Sequence, residues 1–379
     1  MGLIIGIITG IIILALLVVA HELGHAVTAS RNGVTVEEFG VGFPPRAWKK
    51  KLRNGVLLSI NWLPLGGFVK LQGEHDSASG KGDYGAATFL QKTKILLAGV
   101  TVNWLLSAVI FTILAVTGLP RVFVNQFSVA SDTTIVSQPV ELANINANHS
   151  AEKAGLKVGD KIIQFAGRSV PTPESLVALA KQNKGKNIKV VYTREGTEHN
   201  VNVLLGNEAN GGYFGAGLGQ RELIKSTWSA PVVGVVTTAQ FTWETFKGMG
   251  GMISNLASGM VMQFSSDLNA RQQASTDLAA VSSGVAGPIG ILGTIFPSAQ
   301  KAGPTQLLFL TAIISLSLAV MNILPIPALD GGRWFTTAIF KLSKKKLTKE
   351  REEKIQSVGF MVLMGLIILV TFADVSKLF

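Results

Sequence analysis

Residues 3–29 read LIIGIITGIIILALLVVAHELGHAVTA, an apolar run whose ionisable side chains are His21, Glu22 and His25. A run of this length can cross a bilayer as a helix. No lysine or arginine precedes Arg31, so the run lacks the basic segment that begins a secretory signal peptide. The sequence therefore favours a retained transmembrane helix over a cleaved signal peptide.

The three ionisable residues have the spacing of a metal-binding motif, His-Glu-x-x-His. Positions i and i+4 lie on one face of a helix, so both imidazoles can reach a single metal ion. Glu22 is then placed to take a proton from a water molecule that the metal activates. Purely structural histidines are the alternative, but a charged residue at the centre of a membrane helix costs about 2.5–3.5 kcal/mol. Three such groups in five residues therefore favour a metal site.

A third ligand is needed, because catalytic zinc sites usually present three protein ligands. The chain has no cysteine, so this ligand must be His, Asp or Glu. Asp330 stands out in the stretch 322–332, NILPIPALDGG, where Pro325 and Pro327 stop a regular helix at the end of an apolar run. An aspartate that caps the following helix is the alternative at this position.

Three further apolar runs cover residues 95–119, about 307–324 and about 358–372. The short loops 46–53 and 341–354 are rich in lysine and arginine, as cytoplasmic loops are. Four spans then place both termini and the long segment between the second and third spans, here called the outer segment, on the side opposite the cytoplasm. The histidines and Asp330 are expected near the cytoplasmic side. Much of the net charge of +11 lies in such loops, which argues against nucleic-acid binding.

Residues 36–72 are apolar but are broken by glycine and proline. Asn54-Gly55 separates two strand-like arms, and Asn-Gly is a strong signal for a hairpin turn. An apolar hairpin inside a membrane must bury its backbone polar groups in protein or line a watery cavity. The pattern alone leaves a membrane re-entrant hairpin and an ordinary surface hairpin equally open.

The outer segment is predicted to contain a soluble α+β domain at 125–220, because short strand-like segments alternate with turns around one helix at 173–180. Residues 226–262 predict an amphipathic helix, either at the membrane surface or packed on that domain. The small polar residues of 265–285 predict a mobile linker.

Together these motifs resemble the site-2 protease family of intramembrane metalloproteases, in its bacterial branch typified by the regulator of sigma-E protease. The resemblance covers nearly the whole chain and also includes Gly287-Pro-Ile-Gly290. It implies a polytopic α-helical protein of the bacterial cell membrane with about four transmembrane helices. It further implies a membrane re-entrant β-hairpin or sheet and an extracytoplasmic α+β domain of the PDZ type. The expected divisions are a first membrane part, a PDZ-like domain, a helix with its linker and a second membrane part, at 1–120, 125–220, 225–285 and 286–379.

The resemblance implies that Zn²⁺ is held by His21, His25 and Asp330 and that Glu22 is the catalytic acid and base. It implies substrate contacts for Asn322 and for three hairpin residues, Gly66, Gly67 and Phe68. The substrate would be a transmembrane protein or peptide in the lipid bilayer. Better-known members carry two PDZ domains, whereas this chain has room for one clear copy.

Two other functions fit parts of the sequence. A non-catalytic membrane adaptor would use the PDZ-like domain alone, and a zinc transporter would use intramembrane His and Asp as a path. Glu22 is useful to a protease but unnecessary as a ligand, so its presence favours hydrolysis over both.

Overall fold

The computed structural model describes residues 2–207, 212–265, 267–284 and 286–376. The chain forms two compact units. One unit combines Met1–Leu114 with Pro231–Phe379, and the other is Ala115–Ala230.

The described helices are, in chain order, α1 (Gly2–Arg31), α2 (Phe89–Thr117), α3 (Ser150–Lys153), α4 (Pro173–Gln182), α5 (Ala230–Met262), α6 (Leu268–Gly284), α7 (Pro288–Gly290), α8 (Phe296–Lys301), α9 (Pro304–Ile323), α10 (Asp330–Leu342) and α11 (Lys349–Ser376). A π-helical turn, Ile291–Ile295, joins α7 to α8. The strands are β1 (Val36–Lys51), β2 (Leu57–Leu71), β3 (Leu119–Pro120), β4 (Thr134–Ser137), β5 (Val140–Ile145), β6 (Lys161–Phe165), β7 (Arg168–Ser169), β8 (Asn187–Arg194), β9 (Thr197–Leu204), β10 (Ala216–Gly219) and β11 (Glu222–Lys225).

Four helices of the described chain are long and apolar enough to cross a membrane: Gly2–Arg31, Phe89–Thr117, Pro304–Ile323 and the Lys349–Phe372 part of α11. Many of their large apolar side chains are exposed, as lipid contact requires. The prediction of about four helices long and apolar enough to span a membrane is therefore confirmed. The last two helices begin earlier than the apolar runs suggested, because polar residues occupy their first turns.

The hairpin of β1 and β2 turns where Asn54-Gly55 predicts it. Leu52 N–H donates to the Val56 carbonyl, and Gly55 has a φ of +87°, which is readily available to glycine. The first half of β1 has a neighbour on each side, since Glu38 lies opposite both Leu57 and Lys70 of β2. The two long strands thus bend back on themselves and form a small sheet.

A hydrophobic cluster fixes this sheet against the ends of α1 and α2. It consists of buried residues from α1, β1, β2, α2 and their connecting segments: Ala29, Val34, Val36, Leu71, Tyr84, Ile95 and Leu96. The two helices also meet at Gly24, where a Cβ would lie only 2.9 Å from the Ala98 carbonyl oxygen. A larger residue at this position would push α1 away from α2.

The helix expected at 226–262 packs differently from both suggested positions. The first half of α5 contacts α2 and α9. The Phe241 ring stacks on the Phe111 ring, with centroids 5.3 Å apart, and meets the Phe309 ring edge-on at 5.9 Å. Trp104 Nε1 of α2 donates to Thr242 Oγ1 at 3.1 Å. The modest apolar face of α5 therefore covers two of the candidate membrane helices.

The expectation of a mobile linker at 265–285 was wrong, because most of this segment forms α6. Asp267 accepts a hydrogen bond from the Asn269 N–H at the start of the helix. Ala274 is fully buried, and Ser258 Oγ of α5 donates to Asp277 Oδ2 at 2.8 Å. The small residues that suggested a linker allow close packing of α6 on α5.

The second unit is an α+β domain. Its main sheet has the strand order β10-β5-β6-β8-β9, with β7 paired to β6, and α3 and α4 accompany it. The core is apolar and includes the fully buried residues Leu142, Ile162, Phe165, Val190 and Val203. The unit extends past the expected 125–220 because β3, β11 and β4 form a second sheet.

Asp132 joins the first and last segments of this second unit through hydrogen bonds. Loss of solvent would raise its pKa, but hydrogen bonds from Ser229 and Thr227, through both hydroxyls and both backbone N–H groups, lower the pKa of Asp132 to about 2. The carboxylate therefore stays ionised and holds the segment before β4 against the segment before α5.

Candidate metal centre

Helix α1 and the start of α10 bring together three side chains that can ligate a metal. The Nε2 atoms of His21 and His25 are 3.1 Å apart. Asp330 Oδ2 lies 3.0 Å from His21 Nε2 and 3.2 Å from His25 Nε2, although His21 and Asp330 are 309 positions apart in the chain. Among the described residues this is the one cluster of His, Cys, Asp or Glu whose ligand atoms, all within 4.8 Å of one another, could hold an ion.

The turn between α9 and α10 aims Asp330 at the histidines. Pro325 and Pro327 follow the end of α9, and Ala328 adopts a φ of +75°. A Cβ on Gly331 would lie 2.2 Å from the Ile323 carbonyl oxygen, so glycine is required for this close approach. Leu329 occupies the N-cap position of α10, and no side chain caps this end. Asp330 is therefore free of the capping role that was its alternative.

Each histidine is oriented by a second contact on α2. His25 Nδ1 lies 2.8 Å from the Ile95 carbonyl oxygen, so it carries the hydrogen and leaves Nε2 for a metal. His21 Nδ1 lies 3.3 Å from the side-chain amide of Asn103. A metal on His21 Nε2 requires a hydrogen on Nδ1, and Asn103 can accept it when its amide oxygen faces the ring.

Asn103 was missed by the sequence analysis. The residue is fully buried, its Oδ1 has no hydrogen-bond partner in the described chain, and its carbonyl accepts from Ser315 Oγ at 2.8 Å. A single asparagine inside an apolar span is the signal that could have found it. Its partner was invisible in the sequence, because 82 positions separate it from His21.

Gly99 leaves room between α2 and the ligands. A Cβ at this position would lie 2.5 Å from both histidine Nε2 atoms. Two imidazole nitrogens and one carboxylate are also a donor set that zinc accepts at catalytic sites, which keep a further position open. Donor set and space both fit a zinc ion.

The hairpin meets α1 beside the ligands. The backbone of Val69 in β2 lies near the Glu22 carboxylate. A Cβ on Gly67 would lie 3.3 Å from Glu22 Cγ, so this glycine is in contact with the glutamate. Glu22 is therefore held next to the metal-ligand cluster by a strand of the hairpin.

The other candidate substrate residues are placed differently. The ring of Phe68 packs over Gly40, and Gly66 faces the ring of Phe43, so both lie within the hairpin itself. Asn322 is half-buried near the end of α9. The described contacts give it no hydrogen bond to the three ligand side chains. Of this set, the structure brings Gly67 to the site.

A cavity of about 480 Å³ lies beside the cluster. The Asp330 side chain is 23% exposed and forms part of its wall. Arg333 also lines it and pairs with Glu74 at 3.0 Å and Glu352 at 3.4 Å. Charged side chains therefore form much of the wall beside Asp330.

Comparison with known proteins gives a consistent result. The model of peptidase family M50 matches residues 9–366. A provisionally named zinc metalloprotease of Clostridium perfringens is 30% identical over 362 residues, which cover 95% of both chains. Zinc metalloprotease RasP of Geobacillus kaustophilus is 27% identical over 98% of both chains, and regulator of sigma-W protease RasP of Bacillus subtilis is 25% identical over 97% of this chain and 98% of its own. The predicted resemblance, the enzyme class of zinc metalloprotease and the zinc cofactor are confirmed.

Replacing Gly99 with alanine is expected to weaken zinc binding by at least about tenfold, because the added methyl group displaces the two imidazole rings. The measurement is the zinc content of the purified chain after dialysis against a competing chelator. Gly248→Ala is the matched control, since a Cβ there meets no atom within 4 Å. Equal zinc contents in the two variants would contradict the role of Gly99.

Replacing Asn103 with leucine is expected to lower zinc affinity by about 10- to 100-fold, because His21 then has no acceptor for its Nδ1 hydrogen. Asn103→Asp restores an acceptor of the same shape and should keep most of the affinity. Chelator competition on the folded, purified variants measures both values. If the leucine variant binds zinc as tightly as the unmodified chain, Asn103 does not orient His21.

Proposed function

Because this chain belongs to peptidase family M50, we propose that it is a zinc-dependent intramembrane endopeptidase that cleaves the transmembrane segments of single-span membrane proteins or the remnants of signal peptides. The observation that carries this proposal is the meeting of His21, His25 and Asp330 on helices next to candidate membrane spans. The other candidates, a non-catalytic adaptor and a zinc transporter, have no support from the family.

In this proposal, His21, His25 and Asp330 hold the zinc ion. Zinc bound there supplies a Lewis acid that polarises a peptide carbonyl and makes water nucleophilic at neutral pH. The Ile95 carbonyl and Asn103 keep the imidazoles in the required tautomers.

Glu22 is the proposed acid and base of the reaction. Its carboxylate takes a proton from the attacking water as the water oxygen bonds to the peptide carbon. It then returns the proton to the leaving nitrogen as the peptide bond breaks. Packing of the Gly67 segment of β2 against Glu22 limits the orientations of the carboxylate during both transfers.

The substrate must be unwound before it can be cut, because the carbonyls of a lipid-facing helix are bonded to its own backbone. We propose that the β2 segment Gly67–Leu71 receives the unwound strand. In the described pairings it has β1 on one edge, and no strand occupies its other edge. An extended peptide can add to such an edge, and Gly67 would bring it next to Glu22. Gly66, Phe68 and Asn322 are further candidates for substrate contact.

The likeness to RasP suggests which substrates to test first. One relative is named a regulator of sigma-W protease. A single-span regulator of a sigma factor is therefore the first class of substrate that we propose for this chain. The relatives are bacterial proteins, and the basic loops support a site near the cytoplasmic side of the cell membrane.

The second unit is the proposed filter of substrate size. It is inserted in the chain between α2 and α5, and we propose that it is a PDZ-like domain outside the cytoplasm. Such a domain would exclude substrates whose outer part has not been trimmed. Support comes from its α+β fold and from basic loops at the opposite ends of the neighbouring spans.

Glu22→Gln is expected to reduce cleavage of a tagged single-span substrate by at least about 100-fold, because glutamine cannot transfer the proton. The same variant should still bind one zinc ion per chain, as its three ligands are intact. Co-expression followed by immunoblotting measures cleavage, and mass spectrometry of the purified protein measures zinc. Glu244→Gln, on α5, is the charge-matched control. Residual cleavage near the control level would rule out this role for Glu22.

Replacing residues 120–222 with a short flexible linker is expected to relax substrate selection. The shortened protein should cut full-length and trimmed substrates at similar rates, whereas the complete chain should prefer the trimmed form. Glu22→Gln in the shortened protein controls for other proteases. Unchanged discrimination after the replacement would count against the size filter and leave the metal site unaffected.

A further inference from the structure

A second cavity, of about 650 Å³, lies apart from the ligands. It is formed by the start of α2, the end of α10 and the start of α11. Five lysines and two carboxylates are among the residues that line it: Lys92, Lys341, Lys345, Lys346, Lys349, Asp76 and Glu350. We call it the basic cavity. Its lining is strongly positive, and nothing in the proposed proteolytic mechanism uses it.

The basic cavity lies at the ends of two candidate membrane spans. Two candidate spans, Phe89–Thr117 and Lys349–Phe372, begin at its wall. Apolar residues share the lining with the lysines, namely Phe89, Phe340 and Leu347. On α10 itself Ile339 and Leu342 are exposed, as expected for a helix at the edge of a bilayer. The cavity therefore offers positive charge and apolar surface together at the level of lipid headgroups.

Some of the lysines are already engaged. Lys92 is paired with Asp76, and Lys341 Nζ lies 4.3 Å from the centre of the Phe89 ring. Lys349 reaches Glu353 only at 3.9 Å. Lys345 and Lys346 are exposed and have no ion pair in the described part of the chain. At least two positive charges thus remain available to a ligand.

The backbone holds these two lysines in place. Lys344 adopts a φ of +52°, and Lys345 N–H donates to the Phe340 carbonyl at 3.0 Å, which closes a tight turn after α10. Leu347 is buried and anchors the other end of the turn. The charges are therefore presented by an ordered loop, which lowers the entropy lost when an anion binds.

We propose that the basic cavity binds the phosphate of an anionic phospholipid headgroup. Lysine ammonium groups bind phosphate as point charges, and basic pockets between membrane helices bind such headgroups. The apolar lining and the start of two spans favour a lipid over free phosphate. A bound headgroup would join α2, α10 and α11 at one point. This inference does not depend on the proposed proteolytic function.

The test uses the full chain, purified in a zwitterionic detergent, and short-chain phosphatidylglycerol as the probe. Native mass spectrometry counts bound lipids and gives their affinity. Phosphatidylglycerol should bind in preference to phosphatidylcholine of the same chain length. The variant Lys345→Gln/Lys346→Gln should bind it about tenfold or more weakly, because it removes the two ammonium groups of the cavity that have no ion pair in the described part of the chain.

Lys50→Gln/Lys51→Gln is the matched control, since it removes the same charge from exposed lysines of the hairpin. The control should bind phosphatidylglycerol like the unmodified chain. Lys341→Gln is a second variant, in case the double change disturbs folding, and should weaken binding to a smaller extent. Circular dichroism and zinc content establish that each variant is folded.

Three results would overturn the proposal. Equal affinity for phosphatidylcholine would show that charge is not recognised. Equal weakening in the control would show that only net charge matters. Inorganic phosphate that competes at the same concentration as the lipid would assign the cavity to a soluble anion instead.

Discussion

Polar atoms buried among apolar helices need partners, and this requirement organises the membrane unit. Asp330 Oδ2 and the Nε2 atoms of His21 and His25 converge, at 3.0 and 3.2 Å, as three electron-pair donors that one metal ion would satisfy together. Each imidazole is satisfied on its other side by α2, through the Ile95 carbonyl and Asn103. The first, second and tenth helices are thus tied to one point by groups that are costly to leave unpaired. The glycines at the contacts allow the helices to come close enough for these bonds.

The ligands could be predicted from sequence because their chemistry is local or rare. Two histidines one helical turn apart are a recognisable metal-binding pattern. Few other possible ligands lie in the apolar segments, so an aspartate that follows two prolines stands out as the third. The roles of Gly99 and Asn103 could not be predicted in the same way. A glycine in an apolar helix has many uses, and its function here depends on which face of α2 meets α1. That information exists only in the packing.

The same limit explains the errors outside the site. Residues 265–285 have the composition of a loop, yet Leu268–Gly284 forms a helix with Ala274 buried in its packing on α5. The Asn54-Gly55 turn was predictable because the turn demands those residues locally. The second bend within β1 and β2, which places Glu38 between two neighbours, has no comparable local signal. It brings Gly67 against Glu22 and so links the sheet to the ligands.

Helix α10 carries Asp330 at one end and Lys341 near the other, over thirteen residues. At 1.5 Å per residue this helix is about 20 Å long, and it can move as one rigid body. A displacement of its lysine end along the helix axis therefore also displaces the Asp330 carboxylate. Metal–ligand distances lie within about 0.2 Å of their usual values. A group bound at the lysine end is thus connected, through one rigid helix, to the carboxylate of the proposed metal site.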